Sequence, residues 1–256
     1  EADIADMAKK GGVKGAISKL LELGFAPTQI ADSFAIASGG STFYRNRINT
    51  YLKEGGKFEK PQVIFLTGAA GSGKTTVAKN FGKNWVIVNK DVEMEALMKK
   101  AGLPSDLNKL TREQKDKWRK IQSKASENAL DKIKKLREQG KNIIIDDTGS
   151  SEPTLSRLKR ELEKSGYESK MLLLGTSLEQ SLERNKDRKQ RTLTDVTVKN
   201  SFEALMNNKK RYKEIFKDGF IEATGGKISD NLINELTGKM SQKQAEKKAF
   251  EDFRET

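Results

Sequence analysis

The stretch VIFLTGAAGSGKTTVAKNFG at Val63–Gly82 constrains the chain most, because an unbroken aliphatic run turns into glycines and then into Lys-Thr-Thr ahead of a helical pattern. A run without polar alternation reads as a strand buried on both faces, and such a strand needs helices on both sides of its sheet. The glycine-rich turn meets the pattern G-x-x-x-x-G-K-[ST] in full, as Gly68-Ala69-Ala70-Gly71-Ser72-Gly73-Lys74-Thr75. In that pattern backbone amides turn inward around an anionic phosphate, and the following helix presents its positive N-terminus. The Lys, here Lys74, reaches the β- and γ-phosphates, and the Thr75 hydroxyl ligates magnesium. These eight residues, with Thr76 beside them, are the candidate binding residues for ATP, and Mg2+ is the expected metal. An ATPase, a GTPase and a small-substrate kinase all share such a loop, so the discrimination must come from later residues.

Four further apolar runs follow: NWVIVNKD (84–91), NIIIDDTG (142–149), KMLLLGT (170–176) and GFIEAT (219–224). Segments of helical period separate them, so the expected class is α/β: a three-layer P-loop NTPase fold around a five-stranded parallel sheet. The clearest helix covers 111–139, with Trp118, Ile121, Ala125, Ala129, Ile133 and Leu136 on one stripe and Gly140 as its stop. Another is expected over 153–164. The long interval between the second and third strands predicts a helical insertion. Residues 1–54 show helical patterns and no strand candidate, and 239–256 read as one charged helix. The expected organisation is a helical flank over 1–56, a P-loop domain over 57–236, and a C-terminal helix over 237–256 that packs with the first flank. The core would then be inserted in a small all-helical module.

Composition removes whole classes of chemistry. The 256 residues contain no Cys and no His, so thiol catalysis, zinc–thiolate sites and imidazole acid–base chemistry are excluded. Any general base must be a carboxylate, Lys or Tyr. The net charge of +13 suits acidic partners such as nucleotides or nucleic acid. No apolar stretch reaches the length of a membrane span, and the expected location is cytoplasmic with no membrane partner. A first residue of Glu1 rather than Met suggests a processed or excised segment.

Asp91 closes the run VIVNKD at the carboxyl edge of the sheet, where ligands of open α/β folds bind. It could accept the proton of a hydroxyl near the γ-phosphate, or it could cap the helix that begins at VEMEALMKK. In SLEQSLERNKDRKQRTL (177–193), Arg184, Arg188 and Arg191 fall within two helical turns, and guanidinium groups grip phosphate bidentately.

NKD after a strand, together with the loop at 68–75, IIIDDT and ERNKDRKQR, resembles the polynucleotide kinase and zeta-toxin group of P-loop kinases over about residues 62–220. The resemblance implies ATP-dependent phosphoryl transfer to a hydroxyl of a polynucleotide or nucleotide-type substrate, or, as in zeta toxins, of a nucleotide sugar. It assigns Asp91 as the base and makes 177–193 a lid whose Arg184 and Arg191 stabilise the transferring phosphoryl group, with Lys74. Arg188 joins the nucleotide contacts, and Lys186 and Lys189 face water. It also favours Asp147 over its neighbour Asp146 as the magnesium carboxylate beside Thr75; strand alternation allows only one of the two to face the site. Val92 and Met94 stand where the polynucleotide pattern carries a second Asp and an Arg, a departure on the acceptor side.

The flank APTQIADSFAIASGGSTFYRNRINTYLKEG (26–55) has the rhythm of a helix-turn-helix with Arg45 and Arg47 on its second helix. Phe34, Ile36, Phe43, Tyr44 and Ile48 at helical spacing are the more economical reading, a hydrophobic core. The flanks also resemble segments of large phage virion-associated proteins, which implies a larger phage assembly as a partner, a virion-associated location, and, as an alternative function, a phage structural or DNA-binding module with a nucleotide-binding insert.

Overall fold

The computed structural model describes residues 15–37, 60–188, 191–224 and 228–237. The second helix of the helix-turn-helix reading and the charged C-terminal helix lie outside these residues. Of the first flank, residues 15–22 and Pro27–Ala37 are helical. Ile17, Leu20, Ile30 and Phe34 are buried there, whereas Ile36, expected in the same core, is 75% exposed.

Five strands form one parallel sheet: β1 (Gln62–Gly68), β2 (Trp85–Asn89), β3 (Asn142–Asp147), β4 (Glu168–Gly175) and β5 (Phe220–Thr224), in the order β2-β3-β1-β4-β5. Every pairing is parallel, so every strand ends at the same edge. Helices connect them: α1 (Lys74–Ala78), α2 (Lys90–Lys100), α3 (Arg112–Glu138), α4 (Glu152–Lys164), α5 (Leu178–Lys186) and α6 (Asp195–Phe216), with α7 (Asp230–Thr237) after β5. The central strand carries the fold. Its Val63 and Phe65 enter a cluster with Ile143, Ile145, Leu173, Leu158 of α4 and Phe216 of α6. Its Ile64 and Leu66 point the other way, to Ile144, Leu172, Val77 of α1 and Leu236 of α7. Alternation along an all-apolar strand thus fills both layers, which is why no polar face was visible in the sequence.

The α3 helix follows its pattern closely. Thr111 accepts a hydrogen bond from the Gln114 amide while the Gln114 side chain accepts one from the Thr111 amide, a reciprocal cap at the N-terminus. Ala129, Ile133 and Leu136 bury against the sheet; Ala125 instead joins Met94, Met98, Leu103, Leu107 and Leu110 in a separate cluster. That cluster is the core of the expected insertion between β2 and β3.

Two local expectations are corrected. The helix after β2 begins at Lys90, so Asp91 sits in its first turn and the cap is Asn89, whose side chain accepts from the amides of Asp91 and Val92. The helix carrying the arginines ends at Lys186, so only Arg184 is helical; Arg188 and Arg191 lie beyond it.

Phe65 is fully buried, edge-on to Phe216 with ring centroids 5.3 Å apart. Phe65→Ala should therefore cost about 3–5 kcal/mol of unfolding free energy, read from a urea titration. A loss under 1 kcal/mol would mean that the two-layer packing on β1 is wrong.

Candidate active site

The loop after β1 is built by backbone conformations that only glycine accepts without strain. Gly71 has φ 74° and Gly73, the residue before α1, has φ 93°. A Cβ on Gly71 would come within 2.7 Å of the Arg184 Cβ, so the loop is also closely approached from α5. Lys74 curls back over the loop and donates to the carbonyls of Gly68 (2.6 Å) and Ala69 (3.1 Å). Burial lowers the pKa of its ammonium, opposed by the carboxylates of Asp146, Asp91 and Asp147.

A cavity of about 210 Å³ opens over this loop. Residues 70–76 form one wall, and Asn89, Asp91, Asp146, Thr148 and Arg188 supply the polar groups opposite. Sheet order explains the convergence: β1 and β3 are adjacent, with Leu66 opposite Asp146, and β2 lies beside β3 with Asn89 opposite that same Asp146. Three chain segments distant in sequence therefore end side by side.

The carboxylate facing the cavity is Asp146, not the expected Asp147. Asp146 is 7% exposed and accepts a 2.6 Å hydrogen bond from the Asn89 side-chain amide. Burial, with smaller contributions from Asp91 and Asp147, pushes its carboxyl up to about 6, against the pull of Lys74 and the Asn89 hydrogen bond. Asp147 accepts from the Gly149 amide at 2.8 Å and shapes the turn after β3. Magnesium takes hard oxygen donors and keeps waters and phosphate oxygens in its shell, so one hydroxyl and one carboxylate suffice from the protein. Thr75 and Asp146, both on the cavity wall, fit that donor set. The loop fits a phosphate too, since the buried Ser72 hydroxyl has no hydrogen-bond partner.

The three arginines divide. Arg188 lines the cavity. Arg184 is exposed and donates to the carbonyl of Gly71 at 2.9 Å, bracing the loop from outside. Arg191 is 4% exposed; its guanidinium meets Asp91 at 2.6 Å and Glu95 at 3.8 Å. Lys186 is exposed, as expected, and Lys189 lies outside the described residues.

Several site residues escaped the sequence reading. Asn89 stood in view at the end of a strand and before a helix, the position where Asn caps. Asn208 and Tyr212 gave no such signal. They sit on α6, and their side chains donate to the Gly149 carbonyl, at 3.3 and 2.8 Å, holding the turn that follows Asp146 and Asp147.

These features define a P-loop nucleotide-binding domain of kinase-like fold. The AAA domain family model matches residues 63–215, more than half of the chain, and the chain belongs to that family. No curated protein matches it. Among solved structures it is similar to the complex AvrRxo1-ORF1:AvrRxo1-ORF2 with ATP, at TM-score 0.51 and 18% identity over 84% of this chain and 68% of that one. It is also similar to the PezAT toxin–antitoxin system of Streptococcus pneumoniae (TM-score 0.45, 19% identity, 77% of this chain and 86% of that one). A chain of the Pnkp1/Rnl/Hen1 RNA repair complex aligns with 62% of this chain at TM-score 0.46 and 20% identity; the match spans about half, 48%, of that chain. At such identities the likeness is one of fold. Among the described residues no helix is long and apolar enough to cross a membrane.

Asp146 yields a signed prediction. A carboxyl whose folded pKa is raised favours folding while protonated, and that contribution is lost as pH rises through about 6. Asp146→Asn keeps an acceptor for Asn89 and removes the buried charge. The variant should gain stability relative to wild type above pH 7, by at most about 3 kcal/mol, and the gain should shrink toward pH 4. Urea titrations at pH 4, 6 and 8 check this; a variant less stable than wild type at pH 8 would refute it.

Proposed function

We propose that the protein transfers the γ-phosphoryl group of ATP to a hydroxyl of an acceptor, with Asp91 as the general base. The observation that carries this reading is that Lys74, Thr75, Asp91, Asp146 and Arg188 line one cavity, although they come from four separate segments. A site built only to hold a nucleotide and its magnesium has use for one carboxylate, Asp146, and not for a second at Asp91. A transferase does: the acceptor oxygen bonds to the γ-phosphorus, the bond from that phosphorus to the β-phosphate oxygen breaks, and the hydroxyl proton passes to the Asp91 carboxylate.

Each residue has a part in that step. The loop amides and Lys74 hold the phosphates, and Arg188 supplies positive charge on the side where charge accumulates. Magnesium, held by Thr75 and Asp146, would neutralise phosphate charge when bound. The ATP assignment rests on the loop; the fold it shares with a complex containing ATP supports it.

For the acceptor, NKD and the arginine-rich segment 184–191 support a polynucleotide or nucleotide-type hydroxyl. A second reading, a nucleotide sugar, is favoured by one observation. Val92 is 59% exposed and Met94 is 2% exposed inside the insertion core, so neither offers the grip on a nucleic acid that the polynucleotide pattern places there.

Two variants test the activity, with a 5′-hydroxyl oligonucleotide and a UDP-sugar as acceptors and radiolabelled ATP as donor. Lys74→Ala should abolish transfer in a folded protein, and wild-type-like turnover would refute the loop's role. Asp91→Asn leaves the Asn89 cap in place and keeps the side-chain shape, but cannot take a proton. Transfer should fall by about 10²–10⁴-fold while nucleotide binding, followed by calorimetry, stays near wild type. Undiminished transfer would remove Asp91 from the mechanism.

A further inference from the structure

The Asp91 carboxylate is held from outside the nucleotide cavity, and we propose that Arg191 is a positioning residue for it rather than a contact to phosphate. This role rests on the kinase reading above and assigns Arg191 a different task from the other two arginines.

Three observations carry it. Arg191 is 4% exposed: one terminal nitrogen pairs with Asp91 at 2.6 Å, the other lies on the Met94 sulfur at 3.8 Å, and Nε, which makes no hydrogen bond, faces the Glu95 carboxylate at 3.8 Å. Asp91 and Glu95 are one helical turn apart on α2, so a single guanidinium faces both and holds one oxygen of the Asp91 carboxylate in place. Finally, the backbone that directly follows Arg191 is tied down. Thr192 donates its amide to the Ser105 carbonyl and accepts from the Leu107 amide. The fully buried Asn185 side chain both donates to and accepts from the backbone of Leu193. A contact to phosphate would present its guanidinium to the nucleotide cavity; this one is buried against Asp91, Met94 and Glu95 and does not line that cavity.

The far side of Asp91 is held as well. Asn89 accepts from the Asp91 amide at 2.7 Å and donates to Asp146 at 2.6 Å. Asp146, Asn89, Asp91, Arg191 and Glu95 thus form one chain of contacts that sets where the base stands relative to the metal-side carboxylate. Bases held to within fractions of an ångström are what phosphoryl transfer demands, since most of its catalysis is positioning.

The charged groups facing Asp91 are Lys74 of the loop, Asp146 of β3, Arg188 and Arg191 of the segment after α5, and Glu95 of its own helix. The test is a double-mutant cycle on transfer from ATP, with Arg191→Met, Asp91→Asn and the double variant, using whichever of the 5′-hydroxyl oligonucleotide or UDP-sugar wild type phosphorylates. A residue that acts through Asp91 has nothing to position once Asp91 is gone. Arg191→Met alone should lower kcat by about 10-fold or more with the KM for ATP unchanged, and should cost less than about 3-fold in the Asp91→Asn background. Arg191→Lys, which restores charge without the planar fork, should recover only part of the loss.

Losses that multiply, or a raised KM for ATP in Arg191→Met, would make Arg191 a phosphate contact and overturn the proposal. The same cycle followed by urea unfolding reports the pair without needing activity and shows that each variant folds. Coupling in stability together with multiplying losses in transfer would overturn the positioning role alone. Absence of transfer by wild type to either acceptor would sink the kinase reading and this role with it.

Discussion

The rest of the structure depends on the position of β1 at the centre of an all-parallel sheet. It is flanked by β3 and β4, apolar toward both helical layers, and its C-terminal end cannot turn back along the sheet because both neighbouring places are taken. The chain must leave over the carboxyl edge, and it does so through glycines that permit left-handed backbone at Gly71 and Gly73. Burial of Val63, Ile64, Phe65 and Leu66 stabilises the strand, and the phosphate-binding loop hangs from that rigid support. Preorganised amides cost nothing to orient when a ligand arrives, which is the advantage of building such a loop on a strand rather than within a longer surface segment.

A second constraint is the concentration of carboxylates at this same edge. Asp91, Asp146 and Asp147 approach one another near Lys74, and burial raises the pKa of Asp146 to about 6. A site arranged for stability alone would replace Asp146 with a neutral residue. A bound cation would reverse the sign of that electrostatic term, in keeping with the metal role proposed for Asp146. Asn89 reconciles the crowding by donating to one carboxylate while accepting from the amide of another, so two acidic residues are tied through one amide side chain.

The end of α5 and the segment after it show how one run of arginines is sorted by packing. Arg184 braces the loop, Arg188 faces the cavity, and Arg191 is drawn into the insertion between β2 and β3. The insertion's small apolar cluster around Met94 and Leu107 provides the surface against which 191–193 settles. Opposite it, Asn208 and Tyr212 fix the turn after β3. The cavity is thereby bounded by helices that belong to different parts of the chain.

Residue pattern by itself determined the five strands, the loop and the α3 helix, because each depends on local chemistry: aliphatic runs, glycines before Lys-Thr, a stripe at helical spacing stopped by Gly140. It also placed Asp91 at the sheet edge. Only tertiary structure decided which of Asp146 and Asp147 faces the cavity, since adjacent residues on a strand point to opposite faces and the sequence does not say which face the loop adopts. It decided likewise that Arg191 turns to Asp91 and Glu95 rather than to the cavity. Those outcomes depend on sheet order and on contacts between segments 57 to 97 residues apart, as in Asn89 with Asp146 or Met94 with Arg191. Such contacts are set by what else packs nearby, and no local pattern carries that information.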